Sequence, residues 1–151
     1  MELPTKLDSL LPLANVVIVT LPLSDQNEKL IGERQFEQMQ PGTYLVNVGR
    51  GSVVDTPSLV RALSSGHLGG AGIDVVDPEP LPGDSPLWEM SNVIITQHVG
   101  AQSPLRVPVT IDLFQQNLER FESGQSLLNQ VDKLLGFPRP ENRIPFPAKL
   151  R

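Results

Sequence analysis

The sequence predicts an α/β fold, a parallel sheet of about four strands with flanking helices. Three observations predict it. Four short runs, Val16–Thr20, Tyr44–Val48, Ala71–Val76 and Val93–Thr96, are almost continuously apolar and rich in β-branched residues. They lack polar alternation, which marks strands buried on both faces of a parallel sheet. Helical patterns lie between the runs, and strands alternating with helices give right-handed crossovers.

Each helical segment has its own signals. Leu3, Leu7, Leu10 and Leu11 share a face ahead of the first run. Ile31–Met39 is a short amphipathic segment, stopped by Pro41-Gly42. In Asp55–Ser65, Asp55 or Thr56 can cap the start, Pro57 suits the first turn and Gly66 suits the end. Leu59, Ala62 and Leu63 form its buried stripe. A longer helix runs from about Val107 to Glu122, with Ile111, Phe114, Leu118 and Phe121 on one face and Gly124 after it. Its start is set near Pro108, because proline breaks a helix interior. Phe137–Arg151 has no periodicity and reads as an irregular tail. A doubly wound nucleotide-binding sheet has about six strands, so these four look like the second half of a larger one.

Composition narrows the function classes. The 151 residues suffice for one compact domain. A hydrophobic share of 39% argues against global disorder. Fifteen prolines are roughly double the average usage of ~5%, and they cluster in Pro78–Pro86 and the last third, where loops are expected. The net charge of −5 shows no basic face for nucleic acid. The absence of cysteine excludes disulfides, thiolate metal sites and a cysteine nucleophile, and no metal is expected. No apolar run reaches the ~18 residues of a membrane span, and the first residues do not form a signal peptide. A cytoplasmic location without membrane association is expected.

Three segments place polar residues just past a strand end, where open α/β sheets bind ligands. In Asn47-Val48-Gly49-Arg50-Gly51 an arginine sits between glycines that permit close backbone approach. A guanidinium can hold a carboxylate with two parallel hydrogen bonds, or be a surface arginine in a turn. In Asp74-Val75-Val76-Asp77-Pro78-Glu79-Pro80, Asp74 is a carboxylate at a buried strand end, costly unless hydrogen-bonded. It is either functional or a structural cap. Glu79 alone reads as an exposed loop acid. In Thr96-Gln97-His98-Val99-Gly100-Ala101, His98 is either an acid/base or a structural histidine. The other histidine, His67, lies in a polar helix end and reads as solvated. Together the three segments make a set. Reducing a carbonyl beside a carboxylate needs a cation for that carboxylate, an acid for the developing alkoxide and a carboxylate to orient the acid. Arg50, His98 and Glu79 can supply these roles.

With these residues in view, the stretch from about Leu7 to Gly136 resembles the C-terminal half of the D-isomer-specific 2-hydroxyacid dehydrogenases, which include glyoxylate/hydroxypyruvate reductases and phosphoglycerate dehydrogenases. The resemblance is carried by LPLSDQNEKLIG (21–32), MQPGTYLVNVGRGSVVD (39–55), LVRALSSGHLGGAGIDVVDPEPLPGDSPLW (59–88) and NVIITQHVGA (92–101). It implies the second half of a Rossmann-like doubly wound sheet. It also implies hydride transfer between NAD or NADP and a small 2-oxo or 2-hydroxy acid. Arg50 matches the substrate-carboxylate arginine, His98 the acid/base and Glu79 its partner. Leu21, Val48, Gly49, Arg50, Asp74, His98, Val99, Gly100 and Ala101 match cofactor-lining positions. A homodimer is expected of the complete enzyme.

Two departures stand out. Gln97 replaces the proline usual before the histidine. The G-x-G-x-x-G loop and its acidic ribose binder are not among these residues, and Gly66–Gly72 is glycine-rich but precedes a strand expectation at Ala71. The expected organisation is therefore residues 1–123 as the C-terminal half of an NAD(P)-binding domain, with the helix from about 107 returning toward a substrate domain. Residues 124–151 are expected to be an irregular tail. Such a chain is expected to be inactive alone. The rival is a non-catalytic remnant or binding module pairing through its exposed sheet edge.

Overall fold

The computed structural model describes residues 6–134 and 136–143. All four expected strands form: β1 (Val16–Val19), β2 (Thr43–Asn47), β3 (Leu68–Ile73) and β4 (Val93–Ile95). They make one sheet in the order β1-β2-β3-β4, with every pairing parallel. Spatial neighbours are also successive in sequence. Right-handed crossovers that all run the same way put their connecting elements on one face. Those elements are α2 (Glu33–Gln38), α3 (Thr56–Ser64) and a 3-10 turn over Pro86–Glu89, and they follow α1 (Leu7–Leu10) in the chain. The core beneath them includes Leu45, Val53, Leu59, Leu63, Leu68 and Leu87.

The other face corrects the expectation of strands buried on both sides. In register, Val16 lies beside Tyr44 and Tyr44 beside Gly70; the next row is Ile18, Val46, Gly72 and Ile94. Ile18 is 62% exposed and Ile94 71% exposed. A continuous apolar run reports that both faces are apolar, not that both are covered.

β3 corrects a second expectation. It begins at Leu68 rather than Ala71 and ends at Ile73 rather than Val76. Gly69 and Gly70 therefore lie inside the strand, not before it. The reason is close packing: a Cβ on Gly70 would stand 2.7 Å from the Asn92 carbonyl oxygen.

α3 is built as its sequence dictates. The Asp55 carboxylate caps it, accepting from the Ser58 amide at 3.1 Å and the Ser58 hydroxyl at 2.5 Å. Gly66 follows its end at φ +74°, a conformation open to glycine. The leucines of the first helix behave less evenly. Leu11 is buried and Leu10 exposed, and Leu3 lies outside the described residues.

The chain divides into two compact units, Met1–Gly100 and Ala101–Arg151. The division falls before the last helix, where the expected boundary lay after it. The second unit holds α4 (Arg106–Glu122), which starts two residues before Pro108. Pro108 thus sits in the first turn, where its missing N–H costs nothing. None of the α4 side chains is buried, and Phe114 and Phe121 are 67% and 73% exposed. The expected irregular tail has local order in its described part. β5 (Val131–Asp132) pairs antiparallel with β6 (Phe137–Pro138), and a 3-10 turn covers Pro140–Asn142. Arg139 Nε donates to Asp132 Oδ2 at 2.5 Å and so ties this hairpin. Residues 144–151 of the expected tail lie outside the described residues. Among the described residues no helix is long and apolar enough to cross a membrane.

Candidate active site

The segments leaving β2, β3 and β4 carry the predicted residues Val48–Arg50, Asp74 with Glu79, and His98–Gly100. Asn47, the last residue of β2, is 1% exposed. Its Oδ1 accepts from the Gly49 amide at 3.0 Å and its Nδ2 donates to the Arg50 carbonyl at 3.1 Å. A buried amide must satisfy both ends, and here it does so by shaping the turn that presents Arg50. Gly49 meets the backbone of Leu21, where a Cβ would stand 2.6 Å from the Leu21 carbonyl oxygen. Val48 donates its amide to Val19 at 3.0 Å and leaves its side chain half exposed. Arg50 is exposed, and its Nη1 donates to the Gly49 carbonyl at 2.7 Å. Among the described residues no hydrogen bond or ion pair joins Arg50 to Glu79 or His98.

Asp74 follows β3 and is 7% exposed. Its Oδ1 accepts from the Thr96 hydroxyl at 2.5 Å and the Val99 amide at 2.8 Å. Its Oδ2 accepts from the Gly100 amide at 2.7 Å. The Thr96 hydroxyl and then the two amides hold this carboxyl below the usual carboxylate range, aided by the nearby His98.

Glu79 stands in the loop beyond, in which the Asp77–Pro78 and Glu79–Pro80 peptides are cis. Its Oε1 lies 2.8 Å from His98 Nδ1. Both side chains keep solvent access, at 44% and 41% exposure. His98 has φ +58°, a left-handed backbone uncommon outside glycine. Of the predicted residues, the structure thus joins Glu79 to His98 and Asp74 to Val99 and Gly100. Leu21 meets Gly49. Ala101 opens the second unit.

A cleft of about 290 Å³ opens at these strand ends, lined by Asp74, Glu79, Leu81, Trp88, Thr96 and His98 among others. Trp88 escaped the sequence reading. Its indole Nε1 donates to the Pro82 carbonyl at 2.8 Å, and its ring stays half exposed at the cleft. A lone tryptophan beside a proline-rich loop was the available signal. Asn47 was also missed as a working residue, although a polar side chain inside an apolar run marked it. His67 corrects another expectation. It is half-buried, and its Nε2 donates to the Phe36 carbonyl at 2.8 Å, so it links two elements instead of facing water.

Ligands of open α/β sheets sit at the carboxyl ends of the strands. Gly49 and Gly100 leave backbone there without side chains, and a Cβ at Gly100 would stand 2.9 Å from Asp74 Oδ2.

The chain resembles known proteins in sequence and in fold. Residues 2–100 match the sequence model described as D-isomer specific 2-hydroxyacid dehydrogenase, NAD binding domain. Glyoxylate/hydroxypyruvate reductase B of Enterobacter sp. (strain 638) is 46% identical over 96 residues, which cover 64% of this chain and 30% of the reductase. A D-isomer specific 2-hydroxyacid dehydrogenase from Xanthobacter autotrophicus Py2, solved with NADPH and MES, superposes with a TM-score of 0.81 at 37% identity. The match covers 87% of this chain and 54% of that one. The NADPH-dependent glyoxylate/hydroxypyruvate reductase of Sinorhizobium meliloti, solved with NADP and sulfate, gives 0.80 at 32% identity, covering 87% and 43%. The chain therefore spans about a third to a half of the length of these relatives.

Proposed function

Because the chain belongs to the D-isomer specific 2-hydroxyacid dehydrogenases, with an NAD-binding domain matched over residues 2–100, we propose that it forms the catalytic side of an NAD(P)-dependent 2-oxo acid reductase. The observation that carries the reading is the 2.8 Å contact between His98 Nδ1 and Glu79 Oε1. The nicotinamide, when bound, supplies the hydride that reduces the oxo carbon. With Nδ1 turned to Glu79, the His98 Nε2 is the atom left to give a proton to the oxygen as it becomes a hydroxyl. Glu79 orients that ring. Arg50 holds the substrate carboxylate through its two-pronged guanidinium. Leu21, Val48, Gly49, Val99, Gly100 and Ala101 line the cofactor beside Arg50, Asp74 and His98.

The same proposal includes a homodimer in the cytoplasm, and turnover that needs more than these 151 residues. The phosphate-cradling G-x-G-x-x-G sequence is not among them. The binding-module reading has no comparable residue pair behind it.

The test replaces the matching segment of the Enterobacter reductase with this one. The chimera is expected to oxidise NADPH or NADH in the presence of glyoxylate or hydroxypyruvate, and to lose this on His98→Ala. A folded, cofactor-binding chimera that reduces no 2-oxo acid overturns the reading.

A further inference from the structure

Both carboxylate oxygens of Asp74 accept from donors of its own chain. Thr96, two residues before His98, gives its hydroxyl to Oδ1. Val99 and Gly100, the two residues after His98, give their amides to Oδ1 and Oδ2. One buried carboxylate thus grips the chain on both sides of a histidine held at φ +58°. A non-glycine residue in that region costs of order 1–3 kcal/mol and persists only where its surroundings enforce it. The carboxylate is the enforcing group, because charge-assisted hydrogen bonds are the strong ones. Gly100 is part of the same fit, since a Cβ there would stand 2.9 Å from Oδ2.

We propose that Asp74 is a positioning residue which, through Thr96, Val99 and Gly100, fixes the left-handed backbone of His98 and so aims the imidazole at Glu79. Its carboxylate contacts are with the His98 loop. The functional weight of this rests on the reading of His98 as the proton donor; the geometry it predicts does not.

The test is nuclear magnetic resonance on the full 151-residue chain. In the unaltered chain, the backbone shifts and couplings of His98 are expected to report positive φ, and the Val99 and Gly100 amides to exchange slowly. Asp74→Asn keeps the shape but replaces one acceptor oxygen by a donor. Thr96→Val removes one hydroxyl from an exposed residue and spares the fold. Both are expected to return His98 to negative φ and to speed exchange at Val99 and Gly100 about tenfold, as local opening does. Thr96→Ser, which keeps the hydroxyl, is expected to restore both signals. The amides of Leu45 and Ile73 should hold their rates, which a general loss of structure would not allow. If His98 keeps positive φ in Asp74→Asn and Thr96→Val, the proposal is overturned. In the chimeric reductase, Thr96→Val is expected to lower kcat at unchanged KM for the oxo acid. A raised KM at unchanged kcat would instead place Asp74 on ligand binding and overturn the positioning role. A chimera without turnover defeats the proposed reaction while the resonance measurement still decides the clamp.

Discussion

The Asp74 amide donates to the Asn47 carbonyl at 2.9 Å, so two buried polar side chains stand on neighbouring strand ends. Each turns its polar atoms into the loop that follows a strand. Asn47 shapes the turn bearing Arg50. Asp74 holds the loop bearing His98. The exposed groups proposed to meet substrate are thus set on a buried polar scaffold, which rigid sites require.

Asn47→Ala should be costly. It strands the buried Gly49 amide, while the Arg50 carbonyl still accepts from the Val53 amide at 3.2 Å; a buried unsatisfied group costs about 1–3 kcal/mol. The expected loss is about 1–3 kcal/mol in urea unfolding. A loss no larger than that of an exposed loop residue would remove Asn47 from the scaffold.

Much of this architecture was legible in the sequence. Asp55, Pro57 and Gly66 bounded α3 because caps and breakers act locally. The strand ends bearing Arg50 and His98 were legible because apolar runs stop there. Coverage of the sheet was not, since Ile18 and Ile94 have the composition of buried residues whichever way they face. The start of β3 was missed because Gly69 and Gly70 carry no strand propensity, and only packing against Tyr44 and Asn92 explains them. The Glu79–His98 contact was reached through the family resemblance, because no local rule pairs residues 79 and 98.

The uncovered sheet face predicts self-association of the 151-residue chain. Val16, Ile18, Tyr44 and Ile94 are all more than half exposed on it. Contiguous exposed apolar surface marks an interaction site. Light scattering should show mass rising with concentration, and Ile18→Lys or Ile94→Lys should suppress the rise. A chain that stays monomeric at every concentration contradicts the expectation.

Acid should weaken the fold through Asp55 and Asp74. The Ser58 hydroxyl and amide, with Lys29 and Arg61 nearby, hold the Asp55 carboxyl below its usual range. Thr96, Val99 and Gly100 do the same for Asp74. A carboxyl lowered in the folded state adds stability above its unfolded pKa of about 3.9. That contribution is lost as pH falls from there through the lowered folded value. Asp55→Asn and Asp74→Asn should therefore flatten the acid limb of a stability–pH curve. Asp55→Ala should also cost about 1 kcal/mol at neutral pH as a lost helix cap. An acid limb unchanged in the double variant would mean that other carboxyls govern it.

Arg50→Ala in the chimeric reductase should raise KM for the 2-oxo acid. Removing one partner of a charge pair formed with substrate costs about 2 kcal/mol or more. Arg50→Lys should recover only part of the loss, because an ammonium lacks the planar fork. An unchanged KM in Arg50→Ala would assign the substrate carboxylate to another cation.

His98 and Glu79 should separate by size of effect. His98→Ala removes the only imidazole at the cleft, and a positioned general acid contributes on the order of 10²–10⁴-fold to rate. Glu79→Gln keeps the shape and an oxygen that can still accept from His98 Nδ1, but it removes the charge. Its loss in kcat should be smaller than that of His98→Ala, and Glu79→Ala should fall between the two. KM for the oxo acid should change little in all three, since Arg50 carries substrate binding in this scheme. The double variant Glu79→Ala/His98→Ala should be no slower than His98→Ala alone, because a partner cannot orient a missing ring. Additive losses in that double variant would give Glu79 a role independent of His98, and the 2.8 Å contact between them would no longer explain its presence.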